Sequence, residues 1–159
     1  MLFEDRLLNY IKKHEGVRPK TYKDSLGIPT VGVGFNLHRP DARDIFKILG
    51  IDYDAVLKGR EVLTMDQVNK LLQDDLKACT DDLRVLFKDW DTRPDEFKLV
   101  LVDMRFQLGG KGLRNFKNTL KYLTKKQYKE AGDNMRKSLA YTQTPKRWDE
   151  NIQLLANIK

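Results

Sequence analysis

The sequence predicts an α+β protein: a small N-terminal lobe with a short antiparallel sheet, a long connecting helix and an all-α C-terminal lobe. Three observations carry that expectation. Residues 17–35 hold Gly27, Gly32, Gly34, Pro19 and Pro29 among β-formers. Residues 63–68, Leu-Thr-Met-Asp-Gln-Val, read as a helix start and are followed by apolar residues at helical spacing. Residues 96–110, EFKLVLVDMRFQLGG, are the most apolar stretch of the chain and end in paired glycines.

The first helix is expected from about Phe3 to His14. Phe3, Leu7, Leu8 and Ile11 share one face, Glu15 continues that face, and Gly16 stops the helix. Tyr22 and the run Thr30-Val31-Gly32-Val33-Gly34-Phe35 suggest strands with a turn near Ser25 to Gly27. Gly32 and Gly34 read as strand glycines. Asp41 can cap a short helix to about Leu49. Thr64 and Gln67 form a capping box, with Leu63 and Val68 as its hydrophobic staple. Val68, Leu71, Leu72, Leu76, Cys79 and Leu83 then follow on one face of a helix of up to about 20 residues. Pro94 suits a first helical turn. Residues 123–128, Leu-Thr-Lys-Lys-Gln-Tyr, repeat the capping-box pattern, and Thr144-Pro145 opens a last helix carrying Trp148, Ile152 and Leu155. One domain is expected over 1–159, with lobes of about 14–63 and 1–13 plus 80–159 joined by a helix of about 64–80. A cleft between such lobes is a common ligand site.

The chain has 159 residues, 40% of them hydrophobic, enough for a core at this length. Charged residues make up 33% and the balance is +7, which favours anionic partners: nucleic acid, acidic lipid or anionic wall polymer. With Cys79 as the single cysteine, no internal disulfide can form, and a buried apolar role is expected. The N-terminus lacks the pattern of a secretory signal, and no stretch reaches the roughly 20 apolar residues of a membrane span. His14 and His38 show no metal-ligand spacing, and Gly32-x-Gly34 is not a nucleotide-binding fingerprint. No cofactor or metal is expected. The basic run 121–129 reads as a solvated helix face, with a nucleic-acid patch as the lesser reading.

Glu15 and Asp24 are the candidate catalytic pair. A helix-end glutamate against an apolar face is expected to be partly desolvated, and desolvation favours the protonated acid. An aspartate at a strand end near a turn is wetter and stays ionised. Glycoside hydrolysis needs two carboxyl groups in such contrasting environments. On spacing alone the pair is not diagnostic, because the chain has 23 acidic residues.

The wider pattern is. Glu15 to Gly34 reads EG-x-R-x-x-x-Y-x-D-x-x-G-x-x-T-x-G-x-G and resembles the active-site signature of the phage T4-type lysozymes. The resemblance continues through MRFQLGGKGLRNFKNTL at 104–120, through Tyr128, Glu130, Ala131, Asn134, Lys137 and Ser138, and through Tyr141-x-Gln143-Thr144-Pro145-x-Arg147. It covers nearly the whole chain in one order. It implies a lysozyme-like fold and a muramidase that cleaves β-1,4 bonds between N-acetylmuramic acid and N-acetylglucosamine in peptidoglycan. It implies Glu15 as general acid, with Asp24 and Thr30 holding the attacking water. It further implies Phe106, Thr119 and Asn134 as cleft residues facing the wall polymer, and Asn36 as a substrate-binding residue, with Asn36 or Leu37 standing in place of an apolar cleft residue. Gln143 and Arg147 would support catalysis, Arg147 by pairing with Glu15. An arginine there favours the ionised carboxylate, opposing desolvation. The family inverts at the anomeric carbon, which implies carboxyl groups roughly 6.5–9.5 Å apart.

The departures are local. Phe35 stands where the family often has a histidine able to pair with an aspartate on the long helix, here Asp75, so that pair is expected to be absent. Leu139-Ala140 replaces a larger, more polar pair. The resemblance and the missing signal together imply an endolysin made in a host cytoplasm, acting as a monomer on the wall after membrane permeabilisation. The competing readings are a catalytically inactive wall-binding or basic interaction module and, more remotely, a DNA-binding protein, for which no base-reading element is found.

Overall fold

The computed structural model describes all residues, 1–159, as three strands and nine α-helices. No helix is long and apolar enough to cross a membrane. The chain divides into two compact units, Met1–Asp75 and Leu76–Lys159, with the boundary inside one helix.

The first unit opens with α1, Phe3–Glu15. Leu7, Leu8 and Ile11 are its buried stripe, Glu4 and Asp5 occupy the first turn, and Lys12 and Lys13 the last. That charge order suits the helix dipole. Gly16 stops the helix at φ 78 and ψ 163, a region open essentially to glycine alone, and its N–H returns to the Lys12 carbonyl. The chain then enters β1, Arg18–Lys23, which pairs antiparallel with β2, Pro29–Gly32, itself paired with β3, Phe35–Asn36. Arg18 faces Gly32 and Tyr22 faces Thr30, so the β1 side carries extra residues as a bulge. Such a bulge bends the strand.

Residues 30–35 are not the single strand suggested by their β-formers. Gly32 and Gly34 take φ 69 and φ 68, the chain reverses between them, and Val31 comes to face Phe35. Left-handed backbone at two positions so close cannot continue a strand.

The small helices α2, Ala42–Ile48, and α3, Tyr53–Leu57, cover this sheet's core. Phe46 is fully buried, with the Phe35 and Tyr53 rings each 5.6 Å away, and Tyr53 donates its hydroxyl to the Leu37 carbonyl. Thr21 Oγ1 donates to the Val56 carbonyl and ties β1 to α3. Asp41 sits at the N-cap of α2 without capping it, because Arg39 holds its carboxylate at 2.9 Å through both Nε and Nη2.

The long helix α4, Met65–Leu86, starts where its capping box requires. The Thr64 N–H donates to Gln67 Oε1 at 2.9 Å, and the Gln67 N–H donates to Thr64 Oγ1 at 3.1 Å. Val68, Leu71, Leu72, Leu76, Cys79 and Leu83 are all buried.

In the second unit, a 3-10 turn at Trp90–Thr92 leads to α5, Asp95–Arg114. The expected end at Gly109 and Gly110 is a kink instead: Gly109 alone leaves helical geometry, at φ 74 and ψ 169, and a further helical turn runs to Arg114. α6, Lys117–Thr124, and α7, Tyr128–Met135, form a pair. α9, Pro145–Ala156, follows the short α8, Leu139–Gln143, and packs on α5 and α7. Leu99 to Met104, Trp148 and Leu155 are buried at 1% exposure or less. At Gly132 a Cβ would meet Ile152 Cγ2 at 3.0 Å, so a larger residue there requires the Ile152 side chain to shift.

The second capping box does not form. Thr124 is the last residue of α6, and its hydroxyl donates to the Leu120 carbonyl. Arg93, only 4% exposed, supplies the reason. Its guanidinium donates to the Leu123 and Thr124 carbonyls at 2.9 and 3.1 Å and lies 4.4 Å from the Phe97 ring centroid. This side chain terminates α6 from outside, and the connection passes through Lys126 at φ 61.

Thr64→Ala is expected to cost about 1 kcal/mol of stability. Thr124→Ala, at a similar sequence position but with no capping role, should shift stability by less than about 0.5 kcal/mol. Urea denaturation of the two variants checks the contrast.

Candidate active site

The three residues expected to carry the hydrolysis, Glu15, Asp24 and Thr30, all lie in the first unit. Glu15 is the last residue of α1. It is exposed, which corrects the expectation of partial burial: the buried stripe ends at Ile11, and the chain turns away at Gly16 one residue after the carboxylate.

Asp24 follows β1 directly and organises the β1–β2 turn. Its Oδ1 accepts from the Leu26 and Ile28 amides at 2.8 and 2.9 Å. Its backbone N–H donates to the Ile28 carbonyl, and its carbonyl accepts from Gly27, which takes φ 78. The side chain thus closes the hairpin with one oxygen, and Oδ2 is outside those two bonds. Thr30 lies on β2 opposite Tyr22 and is 5% exposed. Its hydroxyl donates to the Ile28 carbonyl at 2.9 Å. With that proton committed, Thr30 Oγ1 can meet a further polar group only as an acceptor.

Asn36 is half-buried on β3, and its Oδ1 accepts from the His38 amide at 2.7 Å. The neighbouring Leu37 is core, 1% exposed.

Phe35, at the position of the family's histidine, changes the local charge arrangement. Asp75 on α4 is not left alone: Arg39 Nη1 reaches its Oδ1 at 2.7 Å. The guanidinium also spans to Asp41 and lies 4.4 Å from the Phe35 ring centroid. Arg39 therefore fills the role of cation beside Asp75, a substitution that sequence spacing did not reveal. Its hydrogen bonds with Asp41 hold the Asp41 carboxyl below its ordinary range. Burial pushes the Asp75 carboxyl up, and the Arg39 hydrogen bond only partly opposes it.

In the second unit, Phe106 is half-buried on α5 before the Gly109 kink. Thr119, expected as a cleft residue facing the wall polymer, is fully buried on α6, where it faces the α6–α7 contact and donates to Asn134 Oδ1. Asn134 is thereby oriented from behind. It lines a pocket of about 450 Å³ with Asn115, Phe116, Asn118, Lys117 and Lys137. The Phe116 ring stacks on buried Trp148 with centroids 5.5 Å apart and an 8° interplanar angle. Gln143 is exposed at the end of α8, and Gln107 Nε2 donates to Thr144 Oγ1 beside it.

Arg147 on α9 forks onto Asp103: Nη2 to Oδ1 at 2.7 Å and Nε to Oδ2 at 3.0 Å. Asp103 is fully buried on α5 and also accepts from Asn151 Nδ2 at 2.9 Å. This partner for Arg147 was missed by reading motifs. The one available signal was an aspartate interrupting the apolar run Leu99 to Met104. No group of three or more His, Cys, Asp or Glu side chains is placed to hold a metal ion.

The sequence profile of the phage lysozyme family matches residues 12–147, spanning both units and every residue discussed above except α1 up to Ile11 and α9 from Trp148 onward. The chain belongs to the phage lysozyme family. It is also similar to two curated proteins of Dictyostelium discoideum. Probable T4-type lysozyme 1 is 26% identical over 91% of this chain and 90% of its own length. Probable T4-type lysozyme 2 is 27% identical over 93% and 92%. A third relative, the pre-baseplate central spike protein Gp5 of Enterobacteria phage T4, is 29% identical over 84% of this chain but only 24% of its own length. Membership in the lysozyme family makes this chain a hydrolase with the small three-stranded sheet and helical remainder described above, and it gives peptidoglycan as the substrate at the family level.

Two measurements test the electrostatics. Asp41 has a lowered pKa when folded, so its pairing stabilises the protein above the ordinary value of 3.8 and that stability is lost as pH falls through the lower folded value. The stability gap between wild type and Asp41→Asn should therefore be full at pH 6 and shrink on acidification below about 4. Asp103→Ala, which strands a cation beside the core, is expected to cost about 3–5 kcal/mol by chemical denaturation.

Proposed function

We propose that this lysozyme hydrolyses the β-1,4 bond between N-acetylmuramic acid and N-acetylglucosamine with inversion, using Glu15 as general acid and a water held by Asp24 and Thr30. The observation that carries the reading is the hydrogen bonding of the β1–β2 hairpin. Thr30's hydroxyl proton is committed to the Ile28 carbonyl, and the Asp24 carboxylate has one oxygen fixed by two amides. Both side chains meet a bridging water as acceptors. Such a water donates both hydrogens to the protein and aims a lone pair outward. That is the orientation an attacking nucleophile needs, and the Asp24 carboxylate takes up its proton as the bond forms.

Glu15, on α1 and separated from the hairpin turn by β1, supplies the proton that lets the leaving oxygen depart. Its exposure leaves it accessible to a polymer. The bound sugar, rather than the protein core, would then exclude water from the carboxyl. Arg147 is proposed to orient Glu15, a role drawn from the family resemblance. The fork onto Asp103 uses Nε and Nη2 and so restricts the guanidinium to one plane. Asn134, oriented by Thr119, is proposed to receive substrate amide or hydroxyl groups. The enzyme is proposed to work as a monomer made in the cytoplasm and acting on the wall.

Glu15→Gln should lower peptidoglycan-clearing activity by about 10²- to 10⁴-fold with the unfolding midpoint unchanged. Thr30→Val should lower it by roughly 10²-fold, because one water acceptor is lost. NMR of the first-formed reducing end should show the α anomer. A β product, or undiminished clearing by Glu15→Gln, overturns the assignment. Wall binding without clearing by the wild type would instead favour the non-catalytic module.

A further inference from the structure

The net charge of this protein is not spread over it. Residues 1–75 carry twelve Lys and Arg against twelve Asp and Glu, so the whole +7 surplus belongs to residues 76–159. It is concentrated further. No acidic residue occurs from Met104 to Lys129, a stretch with eight basic ones.

The fold gives that stretch a surface. On α6 the buried side is formed by Thr119 and Leu123. Lys117, Lys121 and Lys125 recur every four residues on the other side, about 6 Å apart along the axis, and all three are exposed. Lys111 precedes this row in sequence, and the exposed Lys126 and Lys129 follow it, in the α6–α7 connection and on the first turn of α7, where Glu130 is their neighbour. None of these six lysines is in an ion pair, whereas Arg105, Arg114, Arg136 and Arg147 of the same unit all reach a carboxylate. A row of like charges without protein counterions repels itself slightly and attracts anions.

We propose that this ridge is a docking surface for a linear polyol-phosphate polymer, separate from the Glu15–Asp24–Thr30 chemistry. Repeated single cations along one line fit a polymer with repeating single anions. The ridge leads into the pocket where Asn115, Asn118 and Asn134 present amide groups beside Lys117, and amides suit sugar or polyol hydroxyls. A lipid surface fits less well: none of the exposed large apolar side chains lies between Leu86 and Ser138, so the ridge has nothing to insert. Nucleic acid also fits less well, because Tyr122 and Tyr128 are half-buried and no exposed aromatic platform lines the row. Bound this way, the enzyme would stay on anionic wall material between cleavage events.

The test uses the full chain and the variant Lys121→Gln/Lys125→Gln/Lys129→Gln, which leaves the pocket residues intact. Binding of purified polyribitol phosphate is measured by calorimetry across a salt series, with phosphatidylglycerol vesicles and duplex DNA as parallel arms. The wild type should bind the polymer with affinity that falls as salt rises. The variant should lose at least tenfold at low salt and flatten the log–log salt slope by about two. Its hydrolysis of a short phosphate-free peptidoglycan oligosaccharide should match wild type, which separates loss of docking from loss of catalysis. Equal polymer binding by the variant, no binding by the wild type, or tighter binding to vesicles or DNA each overturns the proposal.

Discussion

A carboxylate buried in the most apolar helix of the chain has to be neutralised, and the second unit is arranged to do so. Asp103 is fully buried between Val102 and Met104 on α5. Left unpaired, such a charge would cost more than most single contacts can return. Arg147 and Asn151 supply the partners, and both lie on α9 one helical turn apart. The pair therefore fixes which face of α9 meets α5 and at what height. Trp148 and Ile152 then fall into the core as a consequence, and Phe116 stacks on the Trp148 ring.

The first unit meets a different constraint, the closure of a short hairpin by one side chain. Asp24 Oδ1 replaces missing turn hydrogen bonds by accepting from Leu26 and Ile28. The same Ile28 offers its carbonyl to Thr30 and to the Asp24 amide. The proposed chemistry thus uses the same atoms that hold the hairpin. The bonds that hold the hairpin also fix the carboxylate and turn the threonine hydroxyl into an acceptor. An aspartate on a loose loop would have to be ordered by whatever it meets; Asp24 is ordered by the backbone of its own hairpin.

Arginine recurs as a device for finishing what the backbone leaves open. Arg93 closes the end of α6, Arg39 serves Asp41 and Asp75 together, and Arg147 serves Asp103. Each uses the planar fork to meet two acceptors at once. Lysine is used differently. The ridge lysines meet no carboxylate at all, and so the surface, rather than the interior, carries the surplus charge.

Local signals were legible in the sequence where local physics decided the outcome. Thr64 and Gln67 form their capping box because each needs only the other's backbone and side chain. Gly16 ends α1 because no other residue tolerates its dihedral angles. The Glu15, Asp24 and Thr30 spacing, set in its wider motif, was enough to point to the family. Other features were decided by partners distant in sequence. Thr124 and Gln127 have the same letters as a capping box, yet Arg93, some thirty residues earlier, ends the helix there instead. Gly32 and Gly34 fit a strand in composition but reverse the chain in three dimensions. Thr119, expected in the cleft, is buried behind Asn134, and Asp75, with no histidine at position 35, recruits Arg39 from another element. The sequence by itself determined which groups were available for catalysis and where helices begin, because capping and glycine geometry are local. Tertiary structure alone decided which of those groups are buried, paired or exposed, because burial and pairing depend on neighbours that spacing along the chain does not specify.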